Sequence, residues 1–441
     1  MDPAGIFGPL LADAEVAALL GDAAQARAMV RVEAALAVVQ GRLGVIDAKA
    51  AGATAEALAG FEPDLADLAR GTASAGVPVP ALVAQLRKTV GGPASTFVHW
   101  GATSQDVVDT ALMLQFRDVL DVLERRLAGL IDDLARLADT HRGTVTVART
   151  RFQQALPTTF GLKVAGWLAP LLRHRDRLAE LRPRLLAVQF GGAAGNLAAL
   201  GDRGVEVMEA LAAELGLACP AVPWHNQRDN LGELASWLAL LTGSLGKLGQ
   251  DVLLMAQNEL GEVREAAGGG SSTMPQKSNP VRAEALVALA RRNATLVSAM
   301  HQALLHAFER DGAAWQLEWA TLPDMTSTAG AALAHAGGLA TTMVVDTGRM
   351  RAVLDGTRGL LLAEAASFAL AEHMPRAEAQ GLVKQACREA LASSGRDMVD
   401  VLAARSDAPV DWPRLCFEAE RPPCADALVG RVLDAAARRA G

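Results

Sequence analysis

The sequence predicts an all-α fold built from long helices. Ala and Leu are abundant, aromatic residues make up only 4% and tyrosine is absent, so the core must be aliphatic. Apolar residues recur at three- and four-residue spacing over long segments, which is typical of amphipathic helices. The chain has 441 residues, more than the roughly 250–300 at which single cores stop growing, so two or three domains are expected.

The helical pattern divides the chain into three predicted domains. Residues 1–105 contain shorter helical segments broken by "AGVPVP" and "VGGPAS", which indicates an N-terminal helical domain. From Asp106 to Arg142 the only helix breaker is Gly129, which predicts one amphipathic helix of roughly 50 Å. Similar patterns cover about 162–188, 229–266, 281–308 and 323–345. Helices this long bury their stripes by packing lengthwise, so residues 106–347 should form a central bundle and 348–441 a C-terminal helical domain.

Composition disfavours several classes of function. The net charge is −7 and no Lys/Arg run occurs, so no nucleic-acid partner is expected. The amino terminus lacks the basic start of a signal peptide and no apolar run reaches about 20 residues, so we expect a cytoplasmic protein with no membrane partner. The four cysteines show no zinc spacing and are interpreted as buried or incidental thiols.

Motifs for cofactors and metals are also missing. The glycines of "FGGAAGNLAALG" lack the GxGxxG spacing and follow no predicted strand. No GxxxxGK[ST], HExxH or GxSxG motif occurs. We therefore expect no cofactor and no metal.

The stretch "GGGSSTMPQKSNPVRAE", residues 268–284, lies between two predicted helices. Pro280 suits a first helical turn and Asn279 suits an N-cap. Lys277 and Asn279 then lie where a helix amino terminus presents unpaired N–H groups, a combination that attracts carboxylates. The three glycines would let the segment open and close over a ligand. A plain interhelical loop is the alternative.

Three further polar clusters lie at predicted helix ends. Thr103 and Ser104 precede the longest helix, and as capping residues they would need no further function. A turn-like stretch, "ARTRFQQALPTTFG", holds Arg151, Gln153 and Gln154, and "AFERDGAAWQLEW" holds Glu309, Arg310 and Asp311. Each cluster alone is a weak signal. Together the four clusters are predicted to converge at one end of the bundle.

Residues 270–280 match the GSSxMPxKxNP signature of the fumarase/aspartase superfamily at every fixed position, and the order of the polar clusters matches too. The chain is therefore identified as similar to that superfamily. The resemblance implies three helical domains, a central bundle that assembles into a homotetramer, and active sites that each draw on three subunits.

Within the superfamily the chain most resembles the bacterial 3-carboxymuconate cycloisomerases. The resemblance rests on "VHWGATSQDVVDT", "LPTTFGLKVAGWL", "LRPRLLAVQFGGAAGNLAALGDRG", "PWHNQRDN", "GGSSTMPQKSNPV" and "TRGLLLAEA", spanning about residues 98–366. Lyases that cleave adenylosuccinate or argininosuccinate, and the fumarases, usually carry a T-H-x-Q histidine, whereas this chain has Arg151 there. A second histidine of the adenylosuccinate lyases, in the N-terminal domain, is also missing from "GTASAGVPVP". The cycloisomerases lack the first of these histidines as well, which favours them over the lyases.

The resemblance implies an intramolecular lyase of aromatic catabolism that acts on a small tricarboxylate without a cofactor. Ser271 is the candidate for proton transfer at carbon and Lys277 for stabilising the anionic intermediate, while His225 and, less favoured, His141 are rival proton donors. Glu284 is predicted to pair with Arg151. The candidate substrate-binding residues are Thr103, Ser104, Arg151, Gln153, Ser272, Asn279 and Arg310.

Two other functions remain open. One is an amine- or water-eliminating lyase on a succinyl substrate, such as an adenylosuccinate lyase, which the missing histidines disfavour. The other is a noncatalytic protein that kept the fold, which the intact signature disfavours. The sequence does not decide whether the 3-substituent of the substrate is a carboxylate or a sulfonate, nor the face of addition.

Overall fold

The fold is all-α with three small two-stranded sheets among the described residues. The computed structural model describes residues 3–266, 269–270, 274, 277–392 and 395–438. The helices are α1 Gly8–Leu11, α2 Ala14–Leu20, α3 Asp22–Arg42, α4 Ala48–Leu58, α5 Leu65–Ala75, α6 Val79–Val90, α7 Ser104–Thr140, α8 Phe160–Leu185, α9 Gly204–Leu215, α10 Asp229–Met255, α11 Val281–Gln302, α12 Gly312–Thr342, α13 Thr347–Asp355, α14 Ala363–Ala371, α15 Arg376–Ala392, α16 Met398–Arg405, α17 Trp412–Glu420 and α18 Pro423–Ala437. The strands are β1 Val145–Thr150, β2 Gln153–Thr159, β3 Val263–Glu265, β4 Gly269–Gly270, β5 Ser278–Asn279 and β6 Met343–Val345.

The chain forms two compact units, each assembled from three separate segments. The first unit comprises Met1–Leu127, His174–Gly243 and Ala288–Ala334. The second comprises Ala128–Arg173, Ser244–Val287 and His335–Gly441. The division into domains 1–105, 106–347 and 348–441 stays a prediction.

In the first unit, side chains of the long helices bind the backbones of their neighbours. Trp237 Nε1 on α10 donates to the carbonyl of His174 on α8 at 3.0 Å. Asn293 Nδ2 on α11 donates to the carbonyl of Met325 on α12 at 3.1 Å. Both polar groups are buried, so each bond removes an unsatisfied donor from the core.

In the second unit the same helices continue to pack closely. A Cβ at Gly249 on α10 would lie 2.8 Å from the Ala283 carbonyl oxygen on α11, so only glycine permits this approach. Trp167 Nε1 on α8 donates to Asp251 Oδ2 on α10 at 2.8 Å. Further along the chain, α14, α15 and α16 share an aliphatic cluster that includes the fully buried residues Ala366, Leu370, Ala379, Ala386, Ala390, Met398 and Leu402.

The longest predicted helix is confirmed, since α7 covers Ser104–Thr140. Most of its predicted apolar stripe is buried: Phe116, Val119, Leu123, Leu127, Leu130 and Leu134 are each at most 1% exposed. The pattern of three- and four-residue spacing therefore identified the buried face correctly.

Several helix ends differ from the prediction. The largest differences are at the ends of α10, which stops at Met255 rather than about 266, and of α11, which stops at Gln302 rather than about 308. Pro323 was predicted to begin a helix, but it lies inside α12. That helix starts at Gly312 because Asp311 Oδ1 accepts hydrogen bonds from the N–H groups of Ala313 and Ala314 at 2.9 and 3.2 Å.

None of the small sheets was predicted. β1 and β2 form an antiparallel hairpin, β3 pairs with β6, and β4 pairs with β5. The stretch around Arg151 and Gln153, predicted as a turn before a helix, is the tip of the first hairpin. No helix among the described residues is long and apolar enough to cross a membrane.

Candidate active site

The amino terminus of α7 is capped by the carboxylate of Asp106, the third residue of the helix. Thr103 is the residue before the helix, and its N–H donates to Asp106 Oδ2 at 3.0 Å. The N–H of Asp106 donates to the carbonyl of Thr103, also at 3.0 Å. Because Asp106 makes the cap, the half-buried hydroxyls of Thr103 and Ser104 are not used for it. No other described residue hydrogen-bonds to either hydroxyl, so both can bind a ligand at the start of a 37-residue helix.

Asp106 is the centre of the polar group in the first unit. It is 2% exposed and accepts four hydrogen bonds. Oδ1 accepts from the N–H of Gly191 at 2.9 Å and from His225 Nε2 at 2.7 Å. Oδ2 accepts from the N–H of Gly192 at 2.9 Å, in addition to that of Thr103. Sequence reasoning missed Asp106, although an acid at the third helical position after Thr or Ser is a known capping signal.

His225 donates from Nε2 to Asp106 and lies against the glycine loop. Both Asp106 oxygens accept from backbone N–H groups, which can only donate, so Nε2 of His225 donates its proton to Oδ1. The ring is 3% exposed, and Nδ1 has no partner among the described residues. A Cβ at Gly191 would lie 2.7 Å from Pro223 Cβ and 2.9 Å from His225 Cε1, so only glycine fits there, whereas Gly192 and Gly195 have φ of 68° and 75°, which glycine adopts without strain. This geometry supports a positioning role, and direct proton donation by His225 stays a prediction.

One turn further along α7, Asp109 binds a fully buried arginine. Arg228 donates to Asp109 at 2.6 and 3.1 Å and to Glu318 on α12 at 2.9 Å. Burial would lower the pKa of the Arg228 guanidinium, but the two carboxylates raise it above its usual value. Burial would likewise raise the pKa of Glu318, but His306 and Arg228 lower it. The segment "PWHNQRDN" is therefore bound to α7 by two pairs, His225 with Asp106 and Arg228 with Asp109. Sequence reasoning did not find these pairs.

Arg310 binds the same glycine loop from the α11–α12 connection. Its Nε donates to Gln105 Oε1 at 3.1 Å, and its Nη2 donates to the carbonyl of Ala193 at 3.1 Å. Gln105 Nε2 in turn donates to the carbonyl of His225 at 2.8 Å. These bonds fix the position of the guanidinium. Arg310 also remains exposed, so its positive charge is accessible to an anion.

In the second unit the first hairpin presents Arg151 at its tip. Arg151 and Phe152 form a two-residue turn with φ of 49° and 64°, and Arg151, Phe152 and Gln153 are exposed. The hairpin is held by Arg149, which donates to both oxygens of the fully buried Glu262 at 2.8 and 2.9 Å. Two successive non-glycine residues at positive φ are strained, and such strain is often retained at functional sites.

In the predicted signature loop, residues 268–280, the described strands β4 and β5 pair with each other, Gly269 with Asn279 and Gly270 with Ser278. Lys277 is exposed and Asn279 is half-buried, whereas the predicted site residues Ser271 and Ser272 lie outside the described residues. Asn279 is not the N-cap: it belongs to β5, and the carbonyl of Pro280 accepts the first helical bond of α11, from Glu284 N at 3.0 Å.

The amino terminus of α11 already holds an internal carboxylate. Glu265, 5% exposed, accepts from the N–H of Ala283 at 3.1 Å and from that of Arg282 at 3.5 Å. These amides were predicted to bind a substrate carboxylate, so that prediction needs correction. The predicted pair of Arg151 and Glu284 is not found either, since both are exposed and no hydrogen bond or ion pair joins them in the described part of the chain.

The structure brings together part of the predicted site in each unit. In the first unit, Thr103, Ser104, His225 and Arg310 all lie at or next to the contacts of Asp106 and the glycine loop. In the second unit, Arg151 and Gln153 lie on the hairpin tip, and Lys277 and Asn279 lie at the signature loop. Convergence of all four clusters stays a prediction.

The remaining candidate groups show no metal-binding arrangement. No cluster of three or more His, Cys, Asp or Glu side chains within the described ranges could hold a metal ion.

All four cysteines are free, with Cys219 and Cys424 exposed and Cys387 and Cys416 half-buried, so none is a buried thiol. His141 is half-buried beside Thr144, and burial lowers its pKa.

Comparison with known proteins places these features in a family. A family profile described as "Lyase" matches residues 15–293. The 3-carboxy-cis,cis-muconate cycloisomerase of Pseudomonas aeruginosa is 46% identical over 392 residues, covering 88% of this chain and 85% of that protein. The enzyme of the same name from Bradyrhizobium diazoefficiens is 44% identical over 408 residues, covering 91% of this chain and 90% of that protein.

A solved structure extends the similarity to the fold. The crystal structure of 3-carboxy-cis,cis-muconate lactonizing enzyme from Pseudomonas putida matches with a TM-score of 0.91 at 41% identity, covering 98% of this chain and 99% of that chain. The profile covers residues 15–293, the two relatives cover 88% and 91% of the chain, and the solved structure covers 98% of it. The chain therefore belongs to the fumarase/aspartase superfamily of lyases.

Proposed function

We propose that this enzyme interconverts 3-carboxy-cis,cis-muconate and 4-carboxymuconolactone, as a cycloisomerase of protocatechuate catabolism. The observation that carries the proposal is the 46% identity, over 88% of the chain, to a relative with that name. The arginine in place of the lyase histidine, Arg151 on an exposed turn, supports the same choice. The proposed setting is cytoplasmic, with no cofactor.

Substrate binding is assigned to cationic and hydroxyl side chains. Arg310 is fixed by Gln105 and the glycine loop near the hydroxyls of Thr103 and Ser104, and this group suits one carboxylate. Lys277 and Asn279, with Ser272, are assigned to a second carboxylate, and Arg151 with Gln153 to a third. Because Glu265 occupies the α11 amides, side chains rather than that helix terminus must hold the anion at the loop.

The proposed reaction is an intramolecular addition. One substrate carboxylate oxygen bonds to a carbon of the double bond, and the neighbouring carbon, next to another carboxylate, takes up a proton from Ser271. The Ser271 alkoxide left behind takes a proton from water, so one proton is consumed per turnover. In the reverse direction this alkoxide removes the proton from carbon and the carbon–oxygen bond breaks. The intermediate is an aci-carboxylate dianion, which the ammonium of Lys277 stabilises. His225 does not contact the substrate in this scheme but positions the glycine loop through Asp106.

The direct test is an absorbance assay. Purified protein incubated with 3-carboxy-cis,cis-muconate should bleach the absorbance of the conjugated diene. Ser271→Ala should lose nearly all turnover, by roughly the 10²- to 10⁴-fold that a proton-transfer group contributes, with an unchanged melting midpoint. A wild-type kcat in that variant would refute the role of Ser271.

The second candidate is elimination from a succinyl substrate by the same fold. Incubation with adenylosuccinate gives the contrasting readout: release of fumarate without any bleaching of the muconate would replace the cycloisomerase proposal. The proposed assembly is a homotetramer whose active sites are shared between subunits. Its mass in solution should be close to four times the 45.9 kDa of one chain.

A further inference from the structure

His306 is a buried histidine in the connection between α11 and α12, four residues before Arg310. Its imidazole is 0% exposed, although the neighbouring residues Leu305 and Ala307 are exposed. Neither ring nitrogen has a hydrogen-bond partner among the described residues. Buried polar groups normally have a partner, because leaving one unpaired costs free energy. The burial of this imidazole therefore needs a physical reason.

The nearest charged group to the imidazole is a carboxylate on α12. His306 Nε2 lies 3.6 Å from Glu318 Oε1, just beyond hydrogen-bond distance. The same Oε1 accepts from Arg228 Nε at 2.9 Å, and Glu318 is 3% exposed. Burial would raise the pKa of Glu318, but His306 and Arg228 lower it. Glu318 is therefore an ionised acceptor placed beside the ring.

The charges of this buried group balance only if His306 carries a proton. Arg228 supplies one positive charge between two negative ones, on Asp109 and Glu318, and none of the three side chains is more than 3% exposed. With a neutral imidazole the group holds an uncompensated negative charge in a region of low dielectric, which is costly. A protonated ring balances that charge and donates from Nε2 to Glu318.

A further acid faces His306 from the start of α12. The N–H groups of the backbone, that of Ala307 first, lower the pKa of Asp311, and the charge of His306 contributes to the same shift. Asp311 is therefore ionised and adds a second negative field at the ring. Both groups favour the protonated imidazole.

The connection that His306 anchors is the one that presents Arg310. Phe308, between the two residues, has a φ of 53°, which is strained for a residue other than glycine. Its carbonyl accepts from Asn226 Nδ2 at 2.5 Å. A strained segment keeps its conformation only where surrounding contacts hold it. The contact of His306 with Glu318 is one such contact, on the α12 side of the connection.

We propose that His306 is a positioning residue, which in its protonated form binds Glu318 and holds the connection so that Arg310 is presented to a substrate carboxylate. The inference rests on one part of the proposed function, the binding of a carboxylate by Arg310. His306 is buried and acts through Arg310. Proton binding and anion binding are then coupled, and each strengthens the other. Anion affinity falls as pH rises and the ring loses its proton.

Binding of tricarballylate, an unreactive tricarboxylate, tests this coupling. Calorimetry at about pH 6 and about pH 8.5 covers the range in which histidine ordinarily changes charge. The wild-type protein should bind roughly five- to tenfold more tightly at the lower pH. Near neutral pH, titrations in buffers of different ionisation enthalpy should show proton uptake on binding. A wild-type affinity that is the same at both pH values, or no binding at either, would overturn the inference.

The probe is not turned over, so this result is independent of the muconate assay. Bleaching of 3-carboxy-cis,cis-muconate without pH-dependent binding of the probe would refute the role of His306 alone. Binding with the expected pH dependence, but without bleaching, would refute the cycloisomerase proposal alone.

Variants assign the coupling to His306. His306→Gln keeps a neutral donor for Glu318 and removes the titration, so at about pH 6 it should bind tricarballylate as weakly as the wild type does at about pH 8.5. His306→Lys keeps a positive charge and should bind tightly at both pH values. His301→Gln, exposed on α11, is the matched control and should keep the wild-type pH dependence. His306→Gln with the wild-type pH dependence would overturn the inference, and the wild-type titrations decide if a variant does not fold.

Discussion

At the residue scale, two acids on one face of α7 organise the first unit. Asp106 and Asp109 are three residues apart, so they project from adjacent turns of the same helix face. Asp106 binds His225 and Asp109 binds Arg228, which fixes the segment between those two residues. The same Asp106 also holds the glycine loop that Arg310 contacts. The proposed carboxylate site therefore depends on side chains that do not touch substrate.

Asp106→Asn should destabilise the protein by on the order of 3 kcal/mol, because four donors lose a buried carboxylate. The amide can accept on one atom only, and its NH₂ group would face N–H donors. Calorimetry should show a clearly lower melting midpoint. Asp118→Asn is the control: it lies on α7 with a side chain 56% exposed and should shift the free energy of unfolding by less than about 0.5 kcal/mol. Equal midpoints for the two variants would contradict the assigned role of Asp106.

His99 predicts a specific pH dependence of stability. Its Nδ1 lies 2.6 Å from Glu33 Oε1, and Glu33 is 3% exposed. Burial lowers the pKa of His99, but the bond to Glu33 and the charges of Glu33 and Asp106 raise it, and the net pKa lies above the ordinary 6.5. A group whose pKa is raised on folding stabilises the fold below its unfolded pKa, and this contribution is lost as pH rises through the folded pKa.

His99→Asn removes this titration and tolerates the positive φ of 66° at that position. Melting midpoints of wild type and variant should differ most below about pH 6.5 and approach each other as pH rises above it. Glu33→Gln removes the same interaction from the other side and should show the same pH dependence relative to wild type. If the difference in melting midpoint between wild type and variant stays constant or widens as pH rises, the charge of His99 does not contribute to stability.

At the element scale, long helices are predictable from sequence and short strands are not. The α7 stripe repeats over many turns, so chance matches to other periods are averaged out. β3 and β6 have three residues each, too few to establish a period of two, and they are held by pairing between Val263 and Val345. Pro323 is misleading because proline usually marks a helix start, whereas here α12 continues through it beside a cavity.

The candidate site, like the fold, could be predicted from the sequence only in part. Thr103, Arg151 and Lys277 are recognisable because their motifs are contiguous in sequence. The partners that fix them are far away along the chain: Asp106 reaches His225 across 119 residues, and no local pattern records that contact. The capping role of Glu265 is also hidden, since it requires β3 to bring the carboxylate to the start of α11.

At Arg151, one substitution can remove the proposed contact with substrate without destabilising the hairpin turn. Asn is favoured at positive φ in such turns, so Arg151→Asn should retain the melting midpoint or raise it. Loss of a charged hydrogen bond to substrate should lower kcat/KM about 10- to 100-fold. If Arg151→Asn keeps wild-type kcat/KM, the guanidinium does not bind substrate.

At the scale of the whole molecule, exposed apolar residues are consistent with the proposed assembly. Leu305 and Phe308 in the connection between α11 and α12 are 82% and 87% exposed, and Phe152 on the hairpin tip is 85% exposed. Large apolar side chains grouped on a surface commonly mark protein interfaces. Two of these residues adjoin Arg310 and Arg151, so contacts between subunits would form next to proposed substrate-binding groups.

Shared active sites predict complementation between inactive variants. Ser271→Ala disables the signature loop, and the double variant Thr103→Val, Ser104→Ala disables the start of α7. If one site takes these elements from different subunits, a mixed tetramer contains some sites with both elements intact. Co-expression, or mixing followed by unfolding and refolding, should therefore give activity well above either parent. Mixing Ser271→Ala with Lys277→Met is the control, because both changes lie in the same loop and every loop remains defective. Tetramers of the first pair that stay as inactive as their parents would show that each chain builds its site alone.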